Sequence, residues 1–98
     1  MAEVLNKTEK EIKKIVFQFL NPKEYQLFIF GSRADGKAKK YSDYDIGIWG
    51  KKPLYSVTKI LIEEALEESD LPYKVDVVDF SLVSANFKKV ALSKIKKL

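Results

Sequence analysis

The run from Tyr25 to Phe30 is mostly apolar and stops at Gly31-Ser32; ten residues further on, Asp43-Tyr44-Asp45-Ile46-Gly47-Ile48-Trp49 alternates polar or small residues with large apolar ones. Alternation with a period of two is the mark of a half-buried strand. It sets Asp43, Asp45 and Gly47 on one face and Tyr44, Ile46 and Ile48 on the other, so the apolar set faces a core and the carboxylates point away from it. Two residues apart along a strand is about 6.5 to 7 Å. A chain built this way makes part of its core from a sheet and keeps one end of that sheet for carboxylate chemistry.

The remaining segments alternate between helix and strand. Thr8 and Glu11 fit a capping box, and Ile12, Ile15, Val16, Phe19 and Leu20 recur at helical spacing until Asn21-Pro22. Tyr25 to Phe30 reads as a strand that turns at Gly31, and the polar stretch Arg33 to Lys40 has room for up to two helical turns. After Gly50 and Pro53 the spacing predicts a helix from about Leu54 to Ser69, with Val57, Ile60, Leu61, Ala65 and Leu66 inward and the glutamates outward. Tyr73 to Phe80 is a third strand, in which Asp76 shares a face with Val78 and Phe80 while Val75, Val77 and Asp79 take the other. Ser84 caps a last helix carrying Phe87, Ala91, Ile95 and Leu98 on one side. The expected fold is thus a small α/β or α+β domain over residues 1–98, a mixed sheet of about three strands flanked by helices, with no internal repeat.

Composition removes several kinds of chemistry. The chain has no cysteine and no histidine, which excludes disulfide frameworks, thiolate zinc sites and Ser-His or Cys-His catalysis. Carboxylates and lysines remain. No apolar run reaches the roughly 20 residues of a membrane span, and Met1-Ala-Glu-Val-Leu-Asn6 lacks the charged and apolar regions of a leader, so a cytoplasmic protein is the expectation. The net charge of +4, from 18 basic and 14 acidic residues, is a weak sign of nucleic-acid binding. Lysines gather at Lys37, Lys39 and Lys40 and again at Lys88, Lys89, Lys94, Lys96 and Lys97, while Glu63, Glu64, Glu67, Glu68 and Asp70 form an acidic middle. On an exposed surface such groups are solvated faces; only the first group sits inside a motif.

Hard carboxylate oxygens suit Mg²⁺, which keeps part of its coordination for water and substrate oxygens. Two such ions about 3.5 to 4 Å apart can serve the attacking and leaving oxygens of a phosphoryl or nucleotidyl transfer. Asp43 and Asp45 are candidates for the metal pair, and Asp76, set among valines where an unpaired carboxylate is costly, is the candidate third ligand and proton acceptor. Asp79 projects from the other face near the strand end and reads as a strand-end or cap residue. An isolated Asp-x-Asp is also the pattern of a solvated turn. Gly31-Ser32 opens the short polar segment, where backbone N–H groups and the Ser32 hydroxyl can meet phosphate oxygens, Gly36 permits close approach, and Arg33, Lys37, Lys39 or Lys40 can add positive charge. The spacing Gly31-x4-Gly36-Lys37 also imitates a P-loop. Ala38 stands where that motif needs a hydroxyl, and the five residues between Lys37 and Asp43 leave no room for its long helix.

With Gly31-Ser32, Ser42-Asp43-Tyr44-Asp45 and Val75-Asp76-Val77-Val78-Asp79 in this order, the chain resembles the minimal nucleotidyltransferases of the DNA polymerase β superfamily over nearly its whole length. That resemblance implies a triphosphate held at Gly31 and Ser32, a metal-binding pair in Asp43 and Asp45, and completion of the triad by Asp76. It also implies two Mg²⁺ ions, ATP as substrate, and a HEPN-type toxin as partner, with the nucleotidyltransferase acting as antitoxin by adding AMP to a tyrosine of the toxin. Two other readings predict different behaviour: an antitoxin that neutralises by complex formation alone, and a small nucleic-acid binder using the terminal lysines with Trp49 and Tyr55.

Overall fold

A computed structural model describes residues 4–98, so the leaderless reading of the N-terminus lies partly outside the described residues. The elements run α1 (Lys7–Val16), β1 (Tyr25–Phe30), α2 (Ser32–Asp35), β2 (Tyr44–Gly50), α3 (Ser56–Glu67), β3 (Val75–Asp79), α4 (Ala85–Ala91) and β4 (Lys96–Lys97). They form a four-stranded mixed sheet of order β3-β2-β1-β4, in which β1 is antiparallel to β2 and β4, and β2 is parallel to β3. The parallel pair is bridged by α3, as a crossover between parallel strands requires.

Both faces of the sheet are covered. Leu27 and Ile29 of β1, Tyr44, Ile46 and Ile48 of β2 and Val77 of β3 pack against Ile12, Ile15 and Val16 of α1 and Ile62 and Leu66 of α3. The alternation read in β2 is therefore realised, with its apolar set in this main core. The opposite face holds Phe28, Phe30 and Phe80 in edge-to-face contact, flanked by Ala91 and Leu92 at the end of α4 and by Ile95 beyond it. Asp45 belongs to this second face, across from Phe30 at the end of the phenylalanine cluster, and Asp43 lies in the loop just before β2.

Four local expectations are corrected. The capping box uses Asn6 and Glu9 rather than Thr8 and Glu11: the Asn6 side chain accepts from the Glu9 N–H, and Glu9 Oε1 accepts from the Asn6 N–H. Glu9 is 3% exposed and also accepts from Lys96 Nζ at 2.7 Å, a tie across the sheet edge that Glu11, on the exposed side, cannot make. On α3, Val57, Ile60 and Leu61 are exposed and Ile62 takes the core position, because residues 58, 62, 65 and 66 offer a second helical stripe. The last helix ends at Ala91 instead of running to Leu98. The chain then returns as β4 along the free edge of β1, pairing Phe28 with Lys97 and Ile29 with Lys96, so the sheet has four strands and not three.

Candidate active site

The register of the sheet gathers the candidate carboxylates. Asp45 lies directly across from Phe30 of β1 on one side and from Asp76 of β3 on the other, which puts both carboxylates on the face that carries the phenylalanine cluster. Asp43 sits just before β2, exposed to solvent. Burial raises the Asp45 carboxyl above its ordinary 3.8, and the negative charges of Asp76 and then Asp43 push it the same way. Three acidic groups thus share one end of the sheet with little positive charge to offset them. The near cation is Lys74, whose Nζ stands 3.7 Å from Asp76 Oδ1, and both side chains are largely open to solvent. Among the described residues no three carboxylates converge tightly enough to hold a metal ion by themselves.

Gly31 closes the site from the side of β1. Its backbone has φ 73° and ψ −153°, outside the range an L-residue adopts without strain, and a Cβ placed on it would stand 2.6 Å from Asp45 Oδ2. The strand can stop here and turn against a carboxylate only because this residue has no side chain. Ser32 begins the single turn of α2, half-buried beside Gly31. Gly36, at φ 79°, ends that turn in the left-handed region with open space around it, so its role is the turn itself and not a close approach. The helical segment expected over Arg33 to Lys40 is therefore one turn, followed by a loop.

Arg33 faces the other way. Its guanidinium donates to Ser42 O at 2.7 and 3.1 Å and to Lys40 O at 3.3 Å, and it lies 4.6 Å from the ring centroids of both Tyr44 and Tyr73. In this arrangement it pins the loop that delivers Asp43 to the start of β2. No sequence signal could have revealed this, since Tyr73 is brought to Arg33 only by the pairing of β2 with β3. Lys37, by contrast, borders a cleft of about 400 Å³ that opens beside Gly31 and is walled by Phe87, Val90, Ala91 and Lys94 from the α4 region. The α4 wall was not foreseen as part of the site. Asp79 behaves as a strand-end residue: Oδ2 accepts from the Leu54 N–H, and Oδ1 from the Ser81 N–H and hydroxyl.

Of the features behind a nucleic-acid interface, Lys96 is engaged with Glu9, and Lys88 Nζ lies 4.7 Å over the Trp49 ring, which is itself packed beside the phenylalanine cluster. The lysine group is in part a structural one. Among the described residues no helix is long and apolar enough to cross a membrane.

The chain matches the family described as polymerase beta, nucleotidyltransferase, over residues 10–98. It belongs to that family. Among curated proteins this nucleotidyltransferase is 43% identical over 82 residues to the probable protein adenylyltransferase MntA of Haemophilus influenzae, covering 84% of this chain and 71% of that one. Among solved structures it superposes on a toxin-antitoxin with AMP-PNP at a TM-score of 0.73 and 25% identity, over 90% of this chain and 69% of the other. A mutant of the toxin-antitoxin MntA-HpeT gives the same TM-score at 27% identity, over 97% of this chain and 72% of that chain. The polymerase β-like fold and the nucleotidyltransferase class expected from the sequence are borne out.

Proposed function

We propose that this nucleotidyltransferase transfers AMP from Mg-ATP to a hydroxyl group, most naturally a tyrosine of a HEPN-type toxin partner, and so acts in the cytoplasm as an antitoxin. The observation that carries this reading is the parallel register that sets Asp45 beside Asp76 while Gly31 abuts Asp45 Oδ2. It joins the triphosphate turn and the carboxylates into one place. The relative at 43% identity bears the name of a probable protein adenylyltransferase, and the structural neighbours are toxin-antitoxin assemblies, one of them with AMP-PNP.

The residues fit Mg²⁺ in donor chemistry. All three carboxylates offer hard oxygens, and the proton affinity of Asp45 is raised first by its burial and then by the negative charges of Asp76 and Asp43, all of which a bound cation would offset. That they do not close a cage unaided accords with an ion that keeps several positions for water and phosphate oxygens. When bound, Mg²⁺ neutralises charge on the triphosphate and makes the acceptor hydroxyl more acidic. Asp43 and Asp45 would hold the metal. Gly31 and Ser32 present their backbone N–H groups, and Ser32 its hydroxyl, to the phosphates, and Lys37 adds charge from the loop. The acceptor oxygen forms a new bond to the α-phosphorus as the bond to the β-phosphate oxygen breaks, and pyrophosphate leaves with that electron pair. Asp76, half-exposed at β3 and across from Asp45, would complete the metal site and take the hydroxyl proton from the acceptor.

Incubation of the protein with its neighbouring toxin and labelled Mg-ATP tests the reading. Label is expected on the toxin with the wild type and not with Asp43→Asn; label that persists unchanged in that variant would sink it. The exposed stripe Tyr55, Val57, Ile60 and Leu61 favours a second reading, neutralisation by contact alone. In that case Asp43→Asn and Asp45→Asn neutralise the toxin as well as the wild type does.

A further inference from the structure

We infer that the outward face of α3 is where the partner protein docks, and that the docking segment is an amphipathic helix with apolar side chains at one end and lysines or arginines at the other. The inference rests on the toxin partnership proposed above and names the surface and the chemistry through which the two proteins meet. The stripe of α3 opposite Ile62 and Leu66 carries it first. Val57, Ile60 and Leu61 recur there at helical spacing with 67%, 52% and 43% exposure, and Tyr55, at 81%, stands just before the helix. Scattered apolar residues on a surface are ordinary; a contiguous set on one helix face marks an interaction surface. The same surface continues past Tyr55 into a groove of about 160 Å³, where Phe19 and Leu20 beyond the end of α1 meet Leu54 and Thr58.

The charge on this helix runs against the needs of the fold. A helix C-terminus carries partial negative charge, which favours cations there. α3 instead closes with Glu63, Glu64 and Glu67, is capped by Glu68 and followed by Asp70, all of them exposed, and has no basic residue in its last turn. Glu63 is paired with Lys59 at 3.6 Å, while among the described residues Glu64, Glu67 and Glu68 enter no ion pair. Glu64 and Glu68 prolong the stripe of Val57 and Leu61 at the next helical steps. The face is thus apolar in its first half and acidic in its second, on a chain whose net charge is +4.

That division selects the occupant. Nucleic acid and anionic lipid surfaces are repelled by the acidic half. A second copy of the chain fits no better. Parallel packing of two α3 helices sets glutamate against glutamate, and antiparallel packing lays the glutamates of each on the apolar half of the other, where a carboxylate loses water without gaining a cation. A helix that brings apolar anchors to Val57, Ile60 and Leu61 and cations to Glu64 and Glu68 satisfies both halves. α3 covers the main-core face of the sheet, whereas Asp45 and Asp76 lie on the other, so a partner held on α3 leaves the cleft beside Gly31 open.

Surface plasmon resonance of the full chain against the neighbouring toxin, without ATP, tests the inference. Ile60→Asp and Leu61→Asp, at exposed positions that tolerate charge, are each expected to weaken binding by about 30-fold or more. Glu64→Lys together with Glu68→Lys is expected to slow association by about 10-fold at low salt, a difference that disappears in about 1 M salt. Leu82→Asp, 70% exposed between β3 and α4, is the control and should bind as the wild type does. Wild-type affinity in the α3 variants, faster association of the double lysine variant, or self-association of the chain that Ile60→Asp abolishes would each overturn the inference. Failure of the wild type to bind the toxin would overturn it together with the partnership. Binding is read without transfer, so an unlabelled toxin in the presence of Mg-ATP would remove the transfer reading and leave this one standing.

Discussion

Gly31→Ala isolates the contact that joins the turn after β1 to the Asp45 carboxylate. Two costs can be read from the backbone. At φ 73° and ψ −153° an alanine sits in a region that is essentially glycine's alone, about 1 to 3 kcal/mol of strain. Its Cβ would also stand 2.6 Å from Asp45 Oδ2, so the carboxylate must leave its present rotamer, adding about 0.5 to 1.5 kcal/mol. The sum is about 1.5 to 4.5 kcal/mol, which in a domain of this size lowers Tm by roughly 6 °C or more. Gly36→Ala is the control. It shares a positive φ, 79°, but has nothing within 4 Å of its Cβ, so only the left-handed penalty of about 1 to 2 kcal/mol applies. The two variants should part more widely in activity than in stability, because a displacement of about 1 Å at a reacting centre can cost 100-fold in rate. Gly31→Ala is expected to lose at least about 100-fold in transfer, whereas Gly36→Ala stays within a few-fold of the wild type. Urea unfolding supplies a further check through an Asp45→Ala background, which removes the obstructing oxygen. There Gly31→Ala should cost about 1 kcal/mol less than it does in the wild type. Equal stability losses in the two backgrounds, with transfer intact in Gly31→Ala, would refute the claim that Gly31 is glycine because of Asp45.

The raised proton affinity of Asp45 makes a pH-dependent prediction. A carboxyl whose folded pKa lies above its unfolded value stabilises the fold when protonated, and that contribution is lost as pH rises from about 3.8 through the raised value. Asp45→Asn should therefore raise the Tm of the metal-free protein at pH 7 and not at pH 3.5 while abolishing transfer, and Mg²⁺ should raise the Tm of the wild type more than that of the variant; a lower Tm for the variant at pH 7 contradicts the argument. Lys96→Met leaves the buried Glu9 carboxylate without its cation, and thermal melts should show a loss of about 2 to 4 kcal/mol, whereas Lys97→Met, on the exposed side of the same strand, should change little. On α3, Ile62→Ala should cost about 2 to 5 kcal/mol in urea unfolding and Leu61→Ala less than about 1; the reverse order would mean that the helix presents its other stripe to the core.

These outcomes also mark where the sequence was sufficient and where it was not. β1 is bounded as its composition implies, and β2 and β3 shift by only a few residues, because period-two alternation and an abrupt Gly-Ser stop are local signals that tertiary packing has no reason to override. Asp45 and Asp76 could be named from that alternation, but their adjacency is a fact of register, fixed only when β2 and β3 pair in parallel. α3 shows the limit of periodicity: Val57-Ile60-Leu61 and Ile62-Ala65-Leu66 both have helical spacing, and the choice between them depends on where the chain enters from β2 and leaves toward β3. β4 had no signal at all. Lys96-Lys97 is a strand because β1 has a free edge within reach of the returning chain and because Glu9, buried in the first turn of α1, needs a cation there. The segment leading into that return packs Ala91, Leu92 and Ile95 against the phenylalanine cluster and lines the cleft beside Gly31 with Phe87, Val90 and Lys94. The motif residues Gly31, Asp43, Asp45 and Asp76 were thus readable one by one, while the cleft wall beside Gly31 belongs to a part of the chain whose fold is decided by the sheet edge and not by its own sequence.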